Sequence, residues 1–450
     1  IGPIQNLDIR YLPFSKQSTF PKQPSIDAVP REPSNYYLIV LRTDNSTSAN
    51  AVSVDIRENL SASPFRRFQD KLDNRFKRTV ALTPVTSFWR MKHMDLRISR
   101  KHQARLDFVE GLKVHVAGQL MSSLRQEFEN WCATETPSED QLRDSQFMET
   151  TLGSNPLYQT SRGLQRLSQE AMWQEVIYGL EEQKPKIEDQ LNTQDESKGS
   201  LTLNPDLNMP DYYDETEFHL QPGNFHKNTL AGPIYELGVA TYTMHRYGKA
   251  GDEMGRALVS VLPDHPYKRV LYMGCGPAYK SYPLIDALPD AQHWGIDLAE
   301  PMLKFAQHRA KEHEKPMHFS QMNAEHMTFP NGHFDLVYCM LLLHEVPTKA
   351  VENIVHEAAR VLAPGGVLAN LELPSYDSLD PLSAFLMDWD TEHNGEPFWR
   401  DYHKMDLQQT YRDAGLEAHL TDAHSEWGGA KGNYMGKFRY HVTMGRKPEV

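Results

Sequence analysis

The second half of the chain alternates short apolar segments with helix-like segments, and this alternation restricts the fold more than any other feature. Six segments have the length and composition of strands: RVLYMG (269–274), HWGIDL (293–298), MHFSQM (317–322), FDLVYCM (334–340), GVLANLEL (366–373) and FRYHVTMG (438–445). Strands that alternate with helices build βαβ units, whose parallel strands are buried on both faces. We therefore predict an α/β fold with a doubly wound, mostly parallel sheet, in which the last segment is an antiparallel edge strand.

The length of 450 residues favours two domains. The segment EEQKPKIEDQLNTQDESKGS at 181–200 is polar, charged and nearly free of apolar residues, which is typical of a linker. We place the boundary there, with an accessory domain at 1–200 and the α/β domain at 201–450. Apolar residues recur every three or four positions over 105–132, and a second helical pattern covers 161–182. The accessory domain is therefore predicted to be mainly helical.

Charge and composition exclude several classes of protein. The formal net charge of −13 argues against nonspecific coating of nucleic acid, although Lys and Arg are in excess over 57–113. No apolar run approaches the roughly 18 residues of a membrane span. The first residues, IGPIQNLDIR, lack both a secretory signal and a Met, so we expect the N-terminus to be missing or processed. Cys132, Cys275 and Cys339 lie far apart, which favours a reducing compartment. We predict a cytoplasmic protein without a metal site.

The segment VLYMGCGPAYK at 270–280 places a glycine-rich turn between the first strand of the α/β domain and the next helix. Such a turn lets a ligand approach backbone N–H groups and the helix N-terminus. A dinucleotide would require a third glycine, where this chain has the bulky Tyr279. A ligand without pyrophosphate, such as S-adenosylmethionine, requires only a narrow turn, and Ala278 is small enough for the last place. The loop therefore favours S-adenosylmethionine over a dinucleotide.

Polar residues follow the next two strands at the same edge of the predicted sheet. Asp297 ends the second strand, where a carboxylate can accept hydrogen bonds from both hydroxyls of a ribose. Asn323, Ala324 and Glu325 follow the third strand, where they would border an adenine. These positions together suit an adenosine moiety.

Four motifs occur in order: VLYMGCGPA, GIDLAEPML, NAEHMTFPNGHFDLVYCMLLLHEV and EAARVLAPGGVL. They resemble those of class I S-adenosylmethionine-dependent methyltransferases, closest to the group that includes the ubiquinone and menaquinone biosynthesis enzymes. The resemblance covers about residues 230–450 and implies a Rossmann-like fold, methyl transfer and the cofactor S-adenosyl-L-methionine. It implies a cofactor site lined by residues from the strand ends and from the helix before the sheet: Tyr235, Gly274, Cys275, Gly276, Asp297, Leu298, Met302, Asn323, Ala324, Glu325, Cys339 and Met340.

The chain departs from the family pattern at two positions. Tyr272 stands where an acidic residue commonly organises the methionine end of the cofactor, and Asn323 replaces a frequent Asp near the adenine. In related enzymes a tyrosine from the helix before the sheet often reaches the methionine carboxylate. The candidates for this role are Tyr235, Tyr242 and Tyr247, and their alternative role is a helix packing face.

Methyl transfer from a sulfonium is an in-line displacement, in which the protein mainly aligns the acceptor and excludes water. A base is required only where the acceptor is protonated with a high pKa. His344 and Glu345 follow the fourth strand at the ligand-binding edge of the sheet, so we predict them as catalytic residues. The alternative for His344 is a buried structural histidine.

The insertion at 385–407 is dense in Trp, His and acidic residues and is predicted to lie over the acceptor. Its predicted substrate-binding residues are Trp389, His393, Trp399 and His403, with Trp427 and Tyr434 closing the far side. The alternative for this insertion is ordinary packing of a covering segment.

Residues 1–200 resemble no family, and they include a strand candidate, YYLIVL, at 36–41. We expect this domain to be a helical cap that builds the acceptor pocket or a homodimer interface. Its basic stretch could instead recruit RNA or a protein, or be only the solvated face of helices.

We predict that the chain methylates a small organic acceptor, at O, N or C, in secondary or cofactor metabolism. A small-molecule partner is expected rather than nucleic acid. A methyltransferase for RNA or protein, and a cofactor-binding scaffold that has lost catalysis, are the alternatives.

Overall fold

The computed structural model describes residues 37–43, 52–58, 94–192, 199–244, 252–424 and 439–449. The chain divides into two compact units, Ile1–Arg90 and Met91–Val450. The first unit contains strands β1 (Tyr37–Thr43) and β2 (Val52–Glu58), which pair antiparallel with Tyr37 opposite Glu58. Strand β1 confirms the strand candidate at 36–41.

The second unit begins with helices, as the apolar periodicity predicts. They are α1 (Arg100–His115), α2 (Met121–Glu135), α3 (Glu139–Arg143), α4 (Ser145–Leu152), α5 (Pro156–Glu181) and α6 (Lys184–Leu191). The π-helical turn Val116–Leu120 joins α1 to α2, so the predicted long helix is present with one irregular turn. Helix α6 lies inside the segment 181–200, which we predicted to be a linker. The linker prediction is therefore wrong for the residues of this helix. Two apolar side chains four positions apart, Ile187 and Leu191, are buried there.

The remaining elements form the α/β part of this unit. They are β3 (Leu201–Thr202), α7 (Asp211–Asp214), α8 (Ala231–Tyr242), α9 (Glu253–Val259), β4 (Arg269–Met273), α10 (Tyr282–Ala287), β5 (Gln292–Asp297), α11 (Glu300–Glu312), β6 (His318–Gln321), β7 (Phe334–Met340), α12 (Thr348–Val361), β8 (Leu362–Glu372), α13 (Pro381–His393), α14 (Trp399–His403), α15 (Leu407–Asp413), β9 (Glu417–His424) and β10 (Arg439–Arg446).

The eight strands β3 to β10 form one sheet in the order β3-β6-β5-β4-β7-β8-β10-β9. All neighbours are parallel except at β10, which is antiparallel to both β8 and β9. This order confirms the predicted doubly wound, mostly parallel sheet with an antiparallel edge.

The outermost antiparallel strand is β9, and β10 lies one position further in. The sequence analysis placed the strand at 438–445 on the edge because it missed β9. Strand β9 has the sequence EAHLTDAH, with mostly exposed or half-buried residues and few apolar ones, so its pattern is weak.

Side chains alternate across the sheet and feed two apolar cores, one on each face. Along β4, Val270 and Tyr272 join the core on one face, while Leu271 and Met273 join the core on the other. Burial on both faces explains why the central strands are continuous apolar runs in the sequence. No helix among the described residues combines the length and the apolar character that crossing a bilayer requires.

The helices α1, α5 and α6 pack on the α/β part through a shared apolar core. Trp173 of α5, which is 1% exposed, belongs to the same cluster as Ile234 of α8 and Phe305 of α11. Residues 94–192 therefore lie in the same compact unit as the sheet. The division of the chain at residue 200 stays a prediction.

Gly238 of α8 tests this packing. A Cβ added there would lie 2.1 Å from the Trp173 ring, so we expect Gly238→Ala to destabilise the fold by about 1–3 kcal/mol. The matched control is Gly163→Ala in α5, where nothing lies within 4 Å of the added Cβ. The control should be neutral or stabilising by about 0.5–1 kcal/mol, since alanine favours a helix over glycine. Urea unfolding of both variants measures the difference, and equal stabilities would contradict the described contact.

Candidate functional site

The site lies at the carboxyl ends of β4, β5 and β7, where the strand order reverses. Strands β5 and β6 extend from β4 in one direction, and β7 and β8 extend in the other. The loops that leave β4 and β7 therefore separate at this edge and leave a crevice, which is where ligands bind in open α/β sheets.

The glycine loop that follows β4 is left-handed at both glycines. Gly274 has φ +61°, where an L side chain is strained, and a Cβ there would lie 2.6 Å from Cδ1 of Leu342, which would have to move. Gly276 has φ +50° and open space where a Cβ would stand. The backbone N–H of Cys275 donates to Ile296 O at 2.9 Å, which ties the loop to β5. The loop is therefore narrow, fixed and open on one side.

Asp297 at the end of β5 holds the glycine loop through its carboxylate. Oδ2 accepts a hydrogen bond from the N–H of Gly276 at 2.8 Å, and Oδ1 accepts one from the N–H of Ala299 at 2.9 Å. Burial raises the pKa of Asp297, and the backbone donors at Ala299 and Gly276 oppose that rise. Each carboxylate oxygen has a second lone pair, so both can still accept from a ligand.

Most of the predicted cofactor residues line one cavity beside this loop. They are Tyr235, Gly274, Cys275, Gly276, Asp297, Leu298, Met302, Asn323, Ala324 and Met340, and the predicted catalytic residue Glu345 lines it as well. Glu325 and Cys339 do not line it. Glu325 accepts hydrogen bonds from Tyr212 and Asn353, and the Cys339 thiol donates to Asn370 in the core.

Tyr272, which replaces the common acidic residue, is fully buried and stacks on Tyr338 with ring centroids 4.7 Å apart. A basic residue, Lys280, lies next to the loop. Lys280 is buried and donates to the hydroxyl of Tyr235 at 3.0 Å, and both residues line the cavity. Burial raises the pKa of Tyr235 to about 12, so this tyrosine stays protonated.

The cavity has an aromatic wall that the sequence analysis missed. Tyr212, Tyr213, Phe218 and Phe225 line it, all from the segment between β3 and α8. The signal was present in the sequence, since YYDETEFHLQPGNF holds four aromatic residues in a polar segment. An aromatic cluster in a loop before the sheet is a reason to expect a cavity wall.

His344 and Glu345 occupy the 3₁₀ turn Leu343–Glu345 after β7, but they differ in environment. His344 is buried, and its Nδ1 lies 2.6 Å from Oε2 of Glu372. Burial disfavours the charged imidazole, but the carboxylate of Glu372 outweighs it and raises the pKa of His344 to about 9. A protonated imidazole cannot accept a proton, so this geometry favours the alternative of a structural histidine. The catalytic role of His344 stays a prediction.

Glu345 faces the cavity and meets a histidine that the sequence analysis did not select. Its Oε1 lies 3.2 Å from Nε2 of His219, whose Nδ1 contacts Oε1 of Glu396. Burial raises the pKa of Glu345, but the neighbouring His219 outweighs it, so the pKa lies below its usual range. Among the residues that the structure describes, His219, Glu345 and Glu396 form the one group with metal-ligand character.

The four predicted substrate-binding residues do not line the cofactor cavity. Trp389 packs under Arg162 of α5 and against the ring of His393. Trp399 packs between His344 and His403, and His403 lines a second, larger cavity together with Tyr376. Acceptor binding by these four residues stays a prediction. Tyr247, Trp427 and Tyr434 lie outside the described residues.

Comparison with known proteins agrees with the geometry of the sheet and loop. The family described as "Methyltransferase domain" matches residues 270–366. A trans-aconitate 2-methyltransferase of Rhodopseudomonas palustris is 33% identical over 155 residues, which are 33% of this chain and 56% of that protein. A demethylmenaquinone methyltransferase of Thermus thermophilus is 32% identical over 119 residues, which are 26% of this chain and 53% of that protein. This chain thus spans about half the length of these relatives.

Among solved structures, the S-adenosylmethionine-dependent methyltransferase SibL is similar, with 19% identity and a TM-score of 0.36. The alignment covers 48% of this chain and 58% of that one. The resemblance of the C-terminal segment, drawn from its four motifs, is confirmed by the family match and by the curated relatives. Residues 270–366 match the methyltransferase-domain family, and the curated relatives of this segment are methyltransferases.

Proposed function

We propose that this chain transfers a methyl group from S-adenosyl-L-methionine to a small organic acceptor. The observation that carries the proposal is one cavity that joins the glycine loop, the carboxylate of Asp297 and an aromatic wall. The curated relatives support it, because their names are those of methyltransferases for small molecules: trans-aconitate and demethylmenaquinone.

The residues of the cavity offer a contact for each part of the cofactor. The open space at Gly276 leaves the backbone accessible, and Asp297 retains one acceptor position on each oxygen for the two ribose hydroxyls. Asn323 and Ala324 after β6 would border the adenine. The bound cofactor supplies an activated methyl group on a sulfonium, and the protein has to hold it, align the acceptor and exclude water.

Lys280 and Tyr235 are the groups we assign to the amino-acid tail. An ammonium and a phenol hydroxyl beside the glycine loop form a donor pair that suits a carboxylate. This pair would bind the carboxylate at the methionine end of the cofactor. Tyr272, which stands where the family has an acidic residue, offers no charge there. The assignment also makes use of the tyrosine that the family resemblance implies.

The acceptor would lie between the aromatic wall and Glu345. Aromatic rings give apolar contact area and exclude water, and Glu345 places one ionised carboxylate at this end of the cavity. The acceptor is therefore a small molecule with an apolar or planar body and a polar reacting group. His344, held by Glu372, lies with its Nε2 3.8 Å from Oε1 of Glu345 and would position that carboxylate.

Asp297→Ala tests the ribose contact. It removes the acceptor for both hydroxyls, so we expect the affinity for S-adenosylmethionine and for S-adenosylhomocysteine to fall at least about tenfold, or roughly 1.4 kcal/mol or more. Isothermal titration calorimetry measures the affinities. The matched control, Asp286→Ala, removes an exposed carboxylate that pairs with Lys315, and it should bind as the unaltered protein does. Unchanged affinity in Asp297→Ala would contradict the assigned cofactor site.

Lys280→Met tests the contact to the tail separately. We expect it to weaken S-adenosylhomocysteine binding about tenfold, the worth of one charge-assisted hydrogen bond. Binding of 5′-methylthioadenosine, which lacks the amino-acid tail, should change less than about twofold, because its adenosine contacts remain. An equal loss for both ligands would show that Lys280 acts on the fold of the loop and not on the tail.

Turnover tests the reaction itself. We expect the protein to release S-adenosylhomocysteine when it is supplied with small carboxylic acids, phenols or amines as acceptors, with at least one class well above the rate without acceptor. Asp297→Ala should reduce that increase at a cofactor concentration that half-saturates the unaltered protein, since it weakens cofactor binding. Tight cofactor binding with no turnover on any small acceptor would favour the non-catalytic scaffold.

A further inference from the structure

Three side chains from three separate segments converge next to the cofactor cavity. His219 comes from the loop between α7 and α8, Glu345 from the turn after β7, and Glu396 from the loop between α13 and α14. Each offers one ligand atom, and these atoms all lie within 4.8 Å of one another. We propose that His219, Glu345 and Glu396 bind one divalent cation through an imidazole nitrogen and two carboxylate oxygens.

The two carboxylates are buried and incompletely paired. Glu396 is 1% exposed; its Oε1 pairs with Nδ1 of His219, and its Oε2 has no hydrogen-bond partner. Oε2 of Glu345 is also buried without a hydrogen-bond partner. Burying a carboxylate oxygen without a donor costs free energy, so the unpartnered Oε2 atoms of Glu345 and Glu396 support a ligand of positive charge at this group.

A second histidine, His102, also lies between two carboxylates and provides a structural comparison for the group of His219, Glu345 and Glu396. His102 of α1 also contacts two carboxylates, with Nδ1 2.6 Å from Glu175 and Nε2 3.3 Å from Glu182. There, Arg105 pairs with Glu175 at 3.0 Å, and Glu182 is half exposed to water. The His102 group thus has an arginine and solvent to balance its charge. At His219, Glu396 is 1% exposed, and the basic side chains near Glu345 are His344 and Lys280.

The backbone around His219 is held in a conformation that few residues adopt. His219 has φ +56° and Leu220 has φ +59°, both left-handed. The carbonyl of His219 accepts hydrogen bonds from Nε1 of Trp173 at 2.7 Å and from Nε2 of Gln169 at 2.9 Å. Residues with a strained backbone that the surrounding structure fixes in this way cluster at functional sites, where the strain holds a side chain in a defined orientation.

The donor set favours a borderline divalent cation. One imidazole nitrogen and two carboxylate oxygens suit Mn²⁺ or Zn²⁺, while Mg²⁺ prefers oxygen alone. Bonds of about 2.0–2.2 Å require ligand atoms about 3–3.5 Å apart, so the three side chains would draw inward by rotamer changes of about an ångström. Three protein ligands leave positions free for water or for a second molecule.

Because Glu345 lines the cofactor cavity, those free positions would open toward the acceptor. In this respect the inference rests on the proposed function. If the chain methylates a small acceptor, that acceptor carries a hydroxyl, enol or carboxylate oxygen that can bind the cation. Cation binding itself does not depend on methyl transfer and is tested without it.

The experiment is a titration of the chelator-treated full chain with Mn²⁺, followed by electron paramagnetic resonance of the free ion. We expect one site per chain. Glu396→Gln and His219→Asn should each weaken it at least about tenfold, since each removes a ligand. Glutamine keeps the shape of Glu396, and asparagine tolerates the left-handed backbone of His219, so both variants should fold. Thermal melting of each variant checks this.

The matched control is Glu175→Gln, which alters the His102 group and should leave Mn²⁺ affinity unchanged within about twofold. If the unaltered chain binds no Mn²⁺, or if Glu396→Gln and His219→Asn bind it as the unaltered chain does, the site is overturned. Calorimetry with S-adenosylhomocysteine on the same samples separates the two proposals. Cofactor binding without Mn²⁺ binding rejects only the cation site, and Mn²⁺ binding without cofactor binding rejects only the methyltransferase site.

Discussion

The cofactor side of the site depends on the carboxylate of Asp297. It joins the end of β5 to the glycine loop after β4, because Oδ2 accepts from the N–H of Gly276 and Oδ1 from the N–H of Ala299. A loop with two left-handed glycines has a large conformational entropy when it is free. These hydrogen bonds, with the one between Cys275 and Ile296, fix the loop before any ligand arrives, so that binding does not have to order it.

The helices before the sheet contribute to the site and not only to stability. Trp173 of α5 packs against Gly238 of α8 and donates a hydrogen bond to the carbonyl of His219. One side chain thus fixes both the docking of α5 and the position of a buried imidazole. The same loop that carries His219 also carries the aromatic wall, so α5 holds this wall of the cavity in place.

The sequence predicts the features that repeat a strong local pattern. The central strands β4 and β7 are buried on both faces, and their apolar runs predict the strand bounds to within a residue. In the same way, the glycine-rich sequence predicts the position of the crevice at the end of β4. Strand β9 was missed because its sequence has few apolar residues and alternates only weakly between apolar and polar ones.

The group of His219, Glu345 and Glu396 could not be found from the sequence, because its members lie far apart in the chain and only the fold brings them together. The acceptor role of the aromatic insertion at 385–407 stays a prediction; its tryptophans pack on Arg162 of α5 and on neighbouring histidines.

The two sides of the cavity differ in how far they fall within the recognised domain. Gly276, Lys280 and Asp297, which would hold the cofactor, all lie within the matched residues 270–366. Phe218, His219 and Glu396 lie outside them, and Glu345 is the shared residue. The family match therefore includes the residues proposed to hold the cofactor and leaves out most of the group around His219. In the function we propose, the acceptor would be selected by segments outside residues 270–366 that meet through tertiary packing, chiefly the loop between β3 and α8.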